Sequence, residues 1–548
     1  MSSDSALNQI DRKTPREGRL VLVLLTAAAI APFLNKAFHI DDPLFLWMAQ
    51  QITKRPLDPY GFSVNWSGLT EPMWTAMQNP PLCSYYIAAI GSLAGWSEPV
   101  LHLAFLIWPI SAVLGTFAIA RRLCTRPFLA GLLTLFTPVF LLSATNIMCD
   151  LMLLALWVWS IELWLGGIER QNWLLLIASA VLATAACLTK YFGISLVPLL
   201  AAYTLARDGR VNTSLVPLLI PVAGIVAFEV ATQSNYGVGV LTGAALLSRQ
   251  MASFRPPWFA QFLTGLAFAG GCLFTAIFFQ PPRRWRFWIA ASIGLVVCLL
   301  LFRFSVPLHS AWAVDQNRGF VQIEGGIFVA IGAGILALAV TDLVQHRDAP
   351  SLLLFLWTFG TFSFTTFCNW SITGRTILPM LPAVAILLAR RLQQGSQARS
   401  FFLRGAGIIP AAVGSLLITV ADYRQAASAR DAAREFQTRF KGESAATWFE
   451  SHWGFQYYMQ RWAARALDAV GSEVHPGDVL ILPSNNTAIV PLPLEKISTL
   501  ETAEFSVLPW LSTHGRGTGA AFYSSARGPI PWAIGHVAPE TYYVSRFR

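Results

Sequence analysis

A chain of 548 residues is long enough for three or four soluble domains, but 55% hydrophobic against 12% charged residues, about half the usual charged share, excludes that reading. A mean hydropathy of +0.52 also excludes disorder, collagen and coiled coil, and leaves an integral membrane protein. The surplus of 39 Lys and Arg over 29 Asp and Glu needs a positional reading first, because the cytoplasmic loops of membrane proteins collect basic residues.

Residues 1–19 are polar and basic and read as a cytoplasmic N-terminal segment. The apolar run behind them shows no small-residue cleavage site, so it reads as an uncleaved first span. Apolar runs of spanning length follow at 20–38, 99–120, 127–145, 150–167, 173–189, 191–206, 212–231, 259–279, 287–304, 323–343, 351–368, 376–391 and 401–420, about thirteen in all. Residues 80–95 open on Pro80-Pro81 and are too short to cross, and they read as a re-entrant or interfacial helix. With the N-terminus inside, the inner segments hold eighteen Lys and Arg, among them Arg12, Lys13, Arg121, Arg122, Arg126, Arg283, Arg284, Arg390 and Arg391, against seven in the outer loops up to residue 376. That bias satisfies the positive-inside rule. Making 80–95 a full span would break it. The basic surplus is thus largely a topology signal, and nucleic acid is not an expected partner.

The expected architecture is an all-α polytopic membrane domain over 20–420, with a first outer loop at 39–98 carrying surface helices such as LFLWMAQQI. A small α/β extracytoplasmic domain follows over 421–548, with a charged helical stretch from Arg424 to Arg439 and the strand pattern DVLILP at 478–483. The aromatic stretch HWGFQYYMQRW at 452–462 reads as packing or as a membrane-surface belt. The seven cysteines lie in or beside apolar segments with no CxxC or zinc spacing, and read as buried thiols.

Ionisable residues at a membrane face are costly without a partner or a task. The topology puts several on one face: Asp41 and Asp42 in HIDDP, Asp150 in NIMCDLMLL, Lys190 in LTKYFG, and Arg375 in GRTILPMLP, with Arg249, Arg255, Arg303 and Arg318 as further basics. Each has a structural alternative. An Asp can cap a helix, and adjacent Asp41 and Asp42 can divide cap and general base between them. A lone Lys snorkels, and an Arg can anchor a helix end or grip a phosphate. Their convergence suits an enzyme that handles a lipid-linked phosphate.

The motifs HIDDPLFLWMAQ, NPPLCSYYIAAIGSLAG, ARRL, CDLMLLAL, LTKYFG and GRTILPMLPAVAILLARRL, in this order over most of 20–392, resemble those of GT-C-fold glycosyltransferases. The similarity is to the dolichyl-phosphate-mannose–protein mannosyltransferase superfamily, which includes the aminoarabinose transferases. The resemblance implies transfer of a sugar from a polyprenyl-phosphate carrier to an acceptor hydroxyl of a glycan, lipid or protein, outside a cytoplasmic (inner) membrane and within its bilayer. It implies Asp41 as general base, Asp42 as the acid beside it, Asp150 as a second acid, and Lys190 and Arg375 at the carrier phosphate. Arg255 and Arg303 stand as supporting phosphate contacts. The aminoarabinose enzymes carry Glu-Lys before the Pro-Pro and have been linked to a metal there. This chain has Gln78-Asn79, so neither a metal nor another cofactor is implied. The alternative reading is a transporter or flippase, whose intramembrane acids would be Glu162 and Glu229.

Overall fold

The computed structural model describes residues 15–279, 285–308, 314–393, 407–485 and 494–548. Arg12, Lys13, Arg283 and Arg284 of the charge reading fall outside these ranges. A helix stands at each expected apolar run, but the lengths are uneven. Among the described residues six helices are long and apolar enough to cross a membrane: Glu98–Leu123, Asp150–Arg170, Thr213–Tyr236, Arg318–His346, Ala349–Cys368 and Gly374–Gln393. A bent pair, Pro127–Leu135 and Pro138–Ala144, makes a seventh if taken as one span. Its two halves meet at 62°, because Pro138 can start a helix but cannot continue one. The run at 173–189 forms the helix Trp173–Thr189 and the run at 191–206 the helix Leu196–Asp208, both shorter than those six. The sequence count of thirteen treated every apolar run as one rod.

The ambiguous stretch is the helix Leu82–Ala94, closed by Gly95 at φ +100°. Thirteen residues rise about 20 Å, short of the roughly 30 Å hydrocarbon layer. It lies against the first-loop helix Asp42–Lys54, and Ser84 donates to the Phe45 carbonyl at 3.2 Å.

Helix Ile408–Phe440 runs on past residue 420, where the sequence reading put a boundary. From Ser415 to Phe440 it contains neither Pro nor Gly to stop it. Its far end enters a mixed five-stranded sheet in the order 465–466, 447–449, 479–483, 540–547 and 497–505. Phe436, Phe449, Phe455, Tyr542 and Val544 form the core beneath. The aromatic stretch is the helix Trp453–Arg461, and it packs on the first loop. Tyr458 accepts the Phe38 amide at 2.8 Å and donates to Glu98 at 2.9 Å. Gly454 sits so close to the Phe38 carbonyl that a Cβ would lie 2.1 Å from its oxygen. The thiol expectation holds only in part: Cys83, Cys149, Cys187 and Cys272 are buried, Cys124 and Cys298 half-buried, and Cys368 exposed.

The tail is stapled to the helical bundle by charge. Lys36, at the end of the first helical segment, is fully buried and donates to Asp422 at 2.5 Å, Asn146 at 2.6 Å and Thr145 at 3.3 Å. All three ammonium hydrogens are thereby used. Asp422 is equally buried and also accepts from Thr513 at 2.7 Å and Tyr523 at 2.9 Å. Removing one partner of such a pair strands a charge in low dielectric, at a cost of about 3–5 kcal/mol, whereas removing both often does not. Lys36→Met should therefore lower the thermal-inactivation midpoint of the solubilised protein sharply, and adding Asp422→Leu should restore most of it. An unchanged midpoint in Lys36→Met would show that the pair does not hold the tail.

Candidate functional site

The five residues 145–149, between helices Pro138–Ala144 and Asp150–Arg170, meet Lys36, Asp42 and Arg375. Thr145 and Asn146 accept from Lys36. The Ile147 amide donates to Asp42 Oδ1 at 2.8 Å. Met148 Sδ accepts from Arg375 Nη1 at 2.9 Å. Asp150 follows and accepts from Lys190 Nζ at 2.8 Å.

Asp41 and Asp42 divide their work sharply. Asp41 precedes the helix Asp42–Lys54, and its side chain makes no cap bond. Its Oδ2 accepts from Arg375 Nη2 at 2.8 Å, and at 27% exposure it is the accessible acid of the pair. Asp42, expected beside it at the reacting centre, is instead fully enclosed. Its two oxygens are taken by backbone amides, Oδ2 by His39 at 2.8 Å and Oδ1 by Ile147 at 2.8 Å. Burial pushes the Asp42 carboxyl up to about 7 against the pull of those amides. It acts as a clamp between the first loop and the 145–149 turn. The clamp holds a strained residue: Ile40 stands at φ +47°, a left-handed conformation that a β-branched side chain rarely adopts, at a cost of roughly 1–3 kcal/mol. That turn sends residues 41 and 42 in different directions. His39 does not supply a cation, because burial lowers its imidazole to about 4.

Asp150 and Lys190 meet because of helix polarity. Asp150 is the first residue of Asp150–Arg170, and Lys190 caps the end of the antiparallel neighbour Trp173–Thr189. An acid at a helix start and a base at a helix end are each favoured by the peptide dipoles. Asp150 is 3% exposed, and its Oδ2 has no hydrogen-bond partner among the described residues. Lys190 spends one of its three hydrogens on Asp150.

Arg375 opens the short helix Gly374–Ile377, set by a capping box between Thr373 and Thr376. Asp41 and Asp150 both act on its charge, so the four residues form one electrostatic cluster. The tail shapes this segment as well. Gly374 donates to the Phe522 carbonyl at 2.7 Å, Ser525 donates to the Ile372 carbonyl at 2.9 Å, and the guanidinium lies 5.7 Å over the Tyr523 ring.

The remaining candidates lie elsewhere. Arg255 is committed to the end of the Ala349–Cys368 helix, donating to the carbonyls of Phe367 at 2.6 Å, Cys368 at 3.1 Å and Asn369 at 2.8 Å. It borders a cavity of about 400 Å³, lined mainly by apolar side chains, that reaches Trp370 and Ile372 beside the Arg375 turn. Arg303 is exposed, packs over Phe304 and shares an open cleft with Arg318. Among the described residues no hydrogen bond or ion pair links either arginine to the Asp41 cluster, although both share its expected side of the membrane. Glu162 pairs with Arg122 at 2.8 Å at the opposite end of its helix, and Glu229 accepts the amides of Leu241 and Thr242 at 2.9 and 3.0 Å. Both acids of the transport reading therefore serve helix ends. Among the described residues no group of three His, Cys, Asp or Glu side chains is arranged for a metal ion.

Sequence reasoning missed Lys36, Asp422 and Tyr523. The signal was present: a Lys within the first apolar run and an Asp just beyond the last, two ionisable groups at a membrane boundary that each need a partner.

Residues 78–232 match the family model described as dolichyl-phosphate-mannose-protein mannosyltransferase, the family that the motifs resemble. The match takes in Asp150 and Lys190 and stops short of Asp41 and Arg375. Among solved structures, the chain is similar to the Archaeoglobus fulgidus oligosaccharyltransferase tethered with an acceptor peptide, at 13% identity and TM-score 0.46, covering 82% of this chain and 63% of that one. It thus spans under two thirds of that protein's length. It is also similar to ArnT from Cupriavidus metallidurans bound to undecaprenyl phosphate, at 13% identity and TM-score 0.42, covering 86% and 94%. A third is the arabinofuranosyltransferase AftD from Mycobacteria, at 13% identity and TM-score 0.35, covering 96% and 39%. No curated protein matches the chain significantly.

Swapping a carboxylate for an amide separates the two adjacent acids. Asp42→Asn turns an NH2 group toward backbone donors and leaves one of them unpaired, at about 1–3 kcal/mol. The thermal-inactivation midpoint should fall for Asp42→Asn and stay put for Asp41→Asn; equal midpoints would remove the clamp role.

Proposed function

We propose that the chain transfers a sugar from a polyprenyl-phosphate carrier to an acceptor hydroxyl on the extracytoplasmic face of the membrane, with inversion at the anomeric carbon. The observation that carries this reading is the pairing of two acids with two cations around one turn, Asp41 with Arg375 and Asp150 with Lys190, each at 2.8 Å. In the proposed reaction Asp41 takes the acceptor proton on its free oxygen as the acceptor oxygen bonds to the anomeric carbon. The bond from that carbon to the carrier phosphate oxygen breaks at the same time. The transition state has oxocarbenium character, as in other glycosyl transfers. Negative charge grows on the departing phosphate, where fixed cations act most strongly because they need no reorganisation.

Arg375 and Lys190 suit that task. The guanidinium keeps donors beyond its bond to Asp41, and the ammonium has two hydrogens left after Asp150. Each carboxylate holds its cation in place until the phosphate arrives. Asp150, with one oxygen unpartnered, holds Lys190 and can accept from the donor sugar. The neighbouring 400 Å³ cavity offers apolar room for the first isoprene units. The acceptor class and the sugar are set by surfaces beyond this cluster.

The test is transfer from an undecaprenyl-phosphate-linked sugar to a membrane extract, with carrier binding followed separately by native mass spectrometry. Asp41→Asn should lose about 10²–10⁴-fold in turnover, the usual worth of a general base, and keep the carrier. Arg375→Met should lose both. Wild-type transfer by both variants would end the proposal.

A further inference from the structure

A second cavity, with several polar side chains in its wall, lies where the tail meets helix Ile408–Phe440. It holds about 220 Å³ and is lined by Gln425, Asn485, Ser512, His514 and Glu540 among others. Gln425, Asn485, His514 and Glu540 also line a smaller void that reaches His39, two residues before Asp41. The walls include apolar Leu511 and Val537.

His514 is the anomaly. It is 3% exposed, and neither ring nitrogen has a partner among the described residues. The Asn485 Oδ1 atom is buried and equally without one. Buried polar groups in folded proteins are nearly always satisfied, so two residues with orphaned atoms in the wall of one cavity mark a candidate site. The chemistry of its ligand can be read from the lining. Burial and the nearby Arg527 charge drive the His514 imidazole well below its ordinary value, so it stays neutral and offers one donor and one acceptor. Glu540 is already braced by Gln425 Nε2 at 3.2 Å and Asn485 Nδ2 at 3.1 Å, and burial raises its carboxyl. Glu540 and Arg516 both line the wall, so it carries no net charge that would favour an anion or a cation. Mixed donors and acceptors between short apolar faces suit hydroxyl groups set around a hydrocarbon ring. The volume is below the ~300–1,000 Å³ of drug-sized pockets, room for about one sugar ring.

We propose that this cavity binds one neutral sugar residue of the acceptor. The word acceptor rests on the glycosyltransferase reading; the binding of a sugar does not. The smaller void beside it, about 40 Å³, ends at His39 on the same loop as Asp41.

The experiment is saturation-transfer NMR on the full-length protein in nanodiscs with the methyl glycosides of glucose, mannose and N-acetylglucosamine. N-acetylalanine methylamide serves as a peptide control. At least one glycoside should give signal where the peptide gives none. His514→Phe, which fills the cavity, and the near-isosteric Glu540→Gln should each weaken it about tenfold, the scale of one hydrogen bond to a buried group. Glu540→Gln should keep the wild-type thermal midpoint. No glycoside signal, a signal from the peptide alone, or unchanged glycoside signal in both variants would overturn the proposal. Asp41→Asn separates the two readings. Glycoside signal kept with transfer lost supports both. Glycoside signal with no transfer from the wild type supports the cavity and sinks the transfer reading. Transfer by a wild type that binds no glycoside sinks the cavity alone.

Discussion

The buried pair of Lys36 and Asp422 is the constraint on which the rest of this molecule turns. A lysine and an aspartate with no exposure are tolerable only if every hydrogen and lone pair is met, since the desolvation of each ion is of the order of several kcal/mol. They are met from four separate stretches: Thr145 and Asn146, the first helical segment, helix Ile408–Phe440, and the tail residues Thr513 and Tyr523. An ionic pair is a weak source of net stability but a strict one of register. As docked here, these stretches together satisfy both ions, so the pair ties the tail to the bundle.

From that docking the geometry around Arg375 follows. Tyr523 donates to Asp422, accepts from Asn146 at 3.0 Å and lies beneath the Arg375 guanidinium. The same tail loop supplies the Phe522 carbonyl to Gly374. The turn 145–149 is held from the other side by the Asp42 clamp. A group that must act on a developing charge is worth most when it is already oriented. Here two independent tethers, one through the tail and one through the first loop, orient the two halves of the cluster before any substrate arrives. The strain at Ile40 is tolerated for the same reason, since the bonds on either side leave the turn no relaxed alternative.

The sequence made the class legible because composition, charge bias and motif order are one-dimensional signals. Asp41, Asp150, Lys190 and Arg375 were readable as candidates because each breaks an apolar pattern at a helix end. What was not readable is what depends on distance in space. Asp41 and Asp42 are neighbours in the chain with the same chemistry, and only the fold shows one facing outward and the other wrapped in amides. Arg255 and Arg303 have the same charge and the same expected loop side as Arg375, yet one is consumed by helix carbonyls and the other lies open beside Phe304. The span count is a related case. An apolar run does not record helix length: Leu196–Asp208 has 13 residues and Asp150–Arg170 has 21.

The tail therefore belongs to the chemistry of the bundle and is more than a separate cap. A pure cap would meet the helices through a polar, exchangeable interface of the kind common between domains. This one is threaded by buried ions, by a glycine pressed on the Phe38 carbonyl, and by a loop that sets the turn before Arg375. Substitutions on either side should consequently couple, because residues sharing one hydrogen-bond network do not contribute independently. The arrangement also gives selection two places to act. In the proposed reaction the cluster around residues 145–150 meets a phosphate and an anomeric carbon, which all lipid-linked sugars share. The proposed sugar cavity is lined by Ala421 and His514, next in the chain to Asp422 and to Thr513, which donates to that aspartate, so changes there should be felt at the ion pair as well.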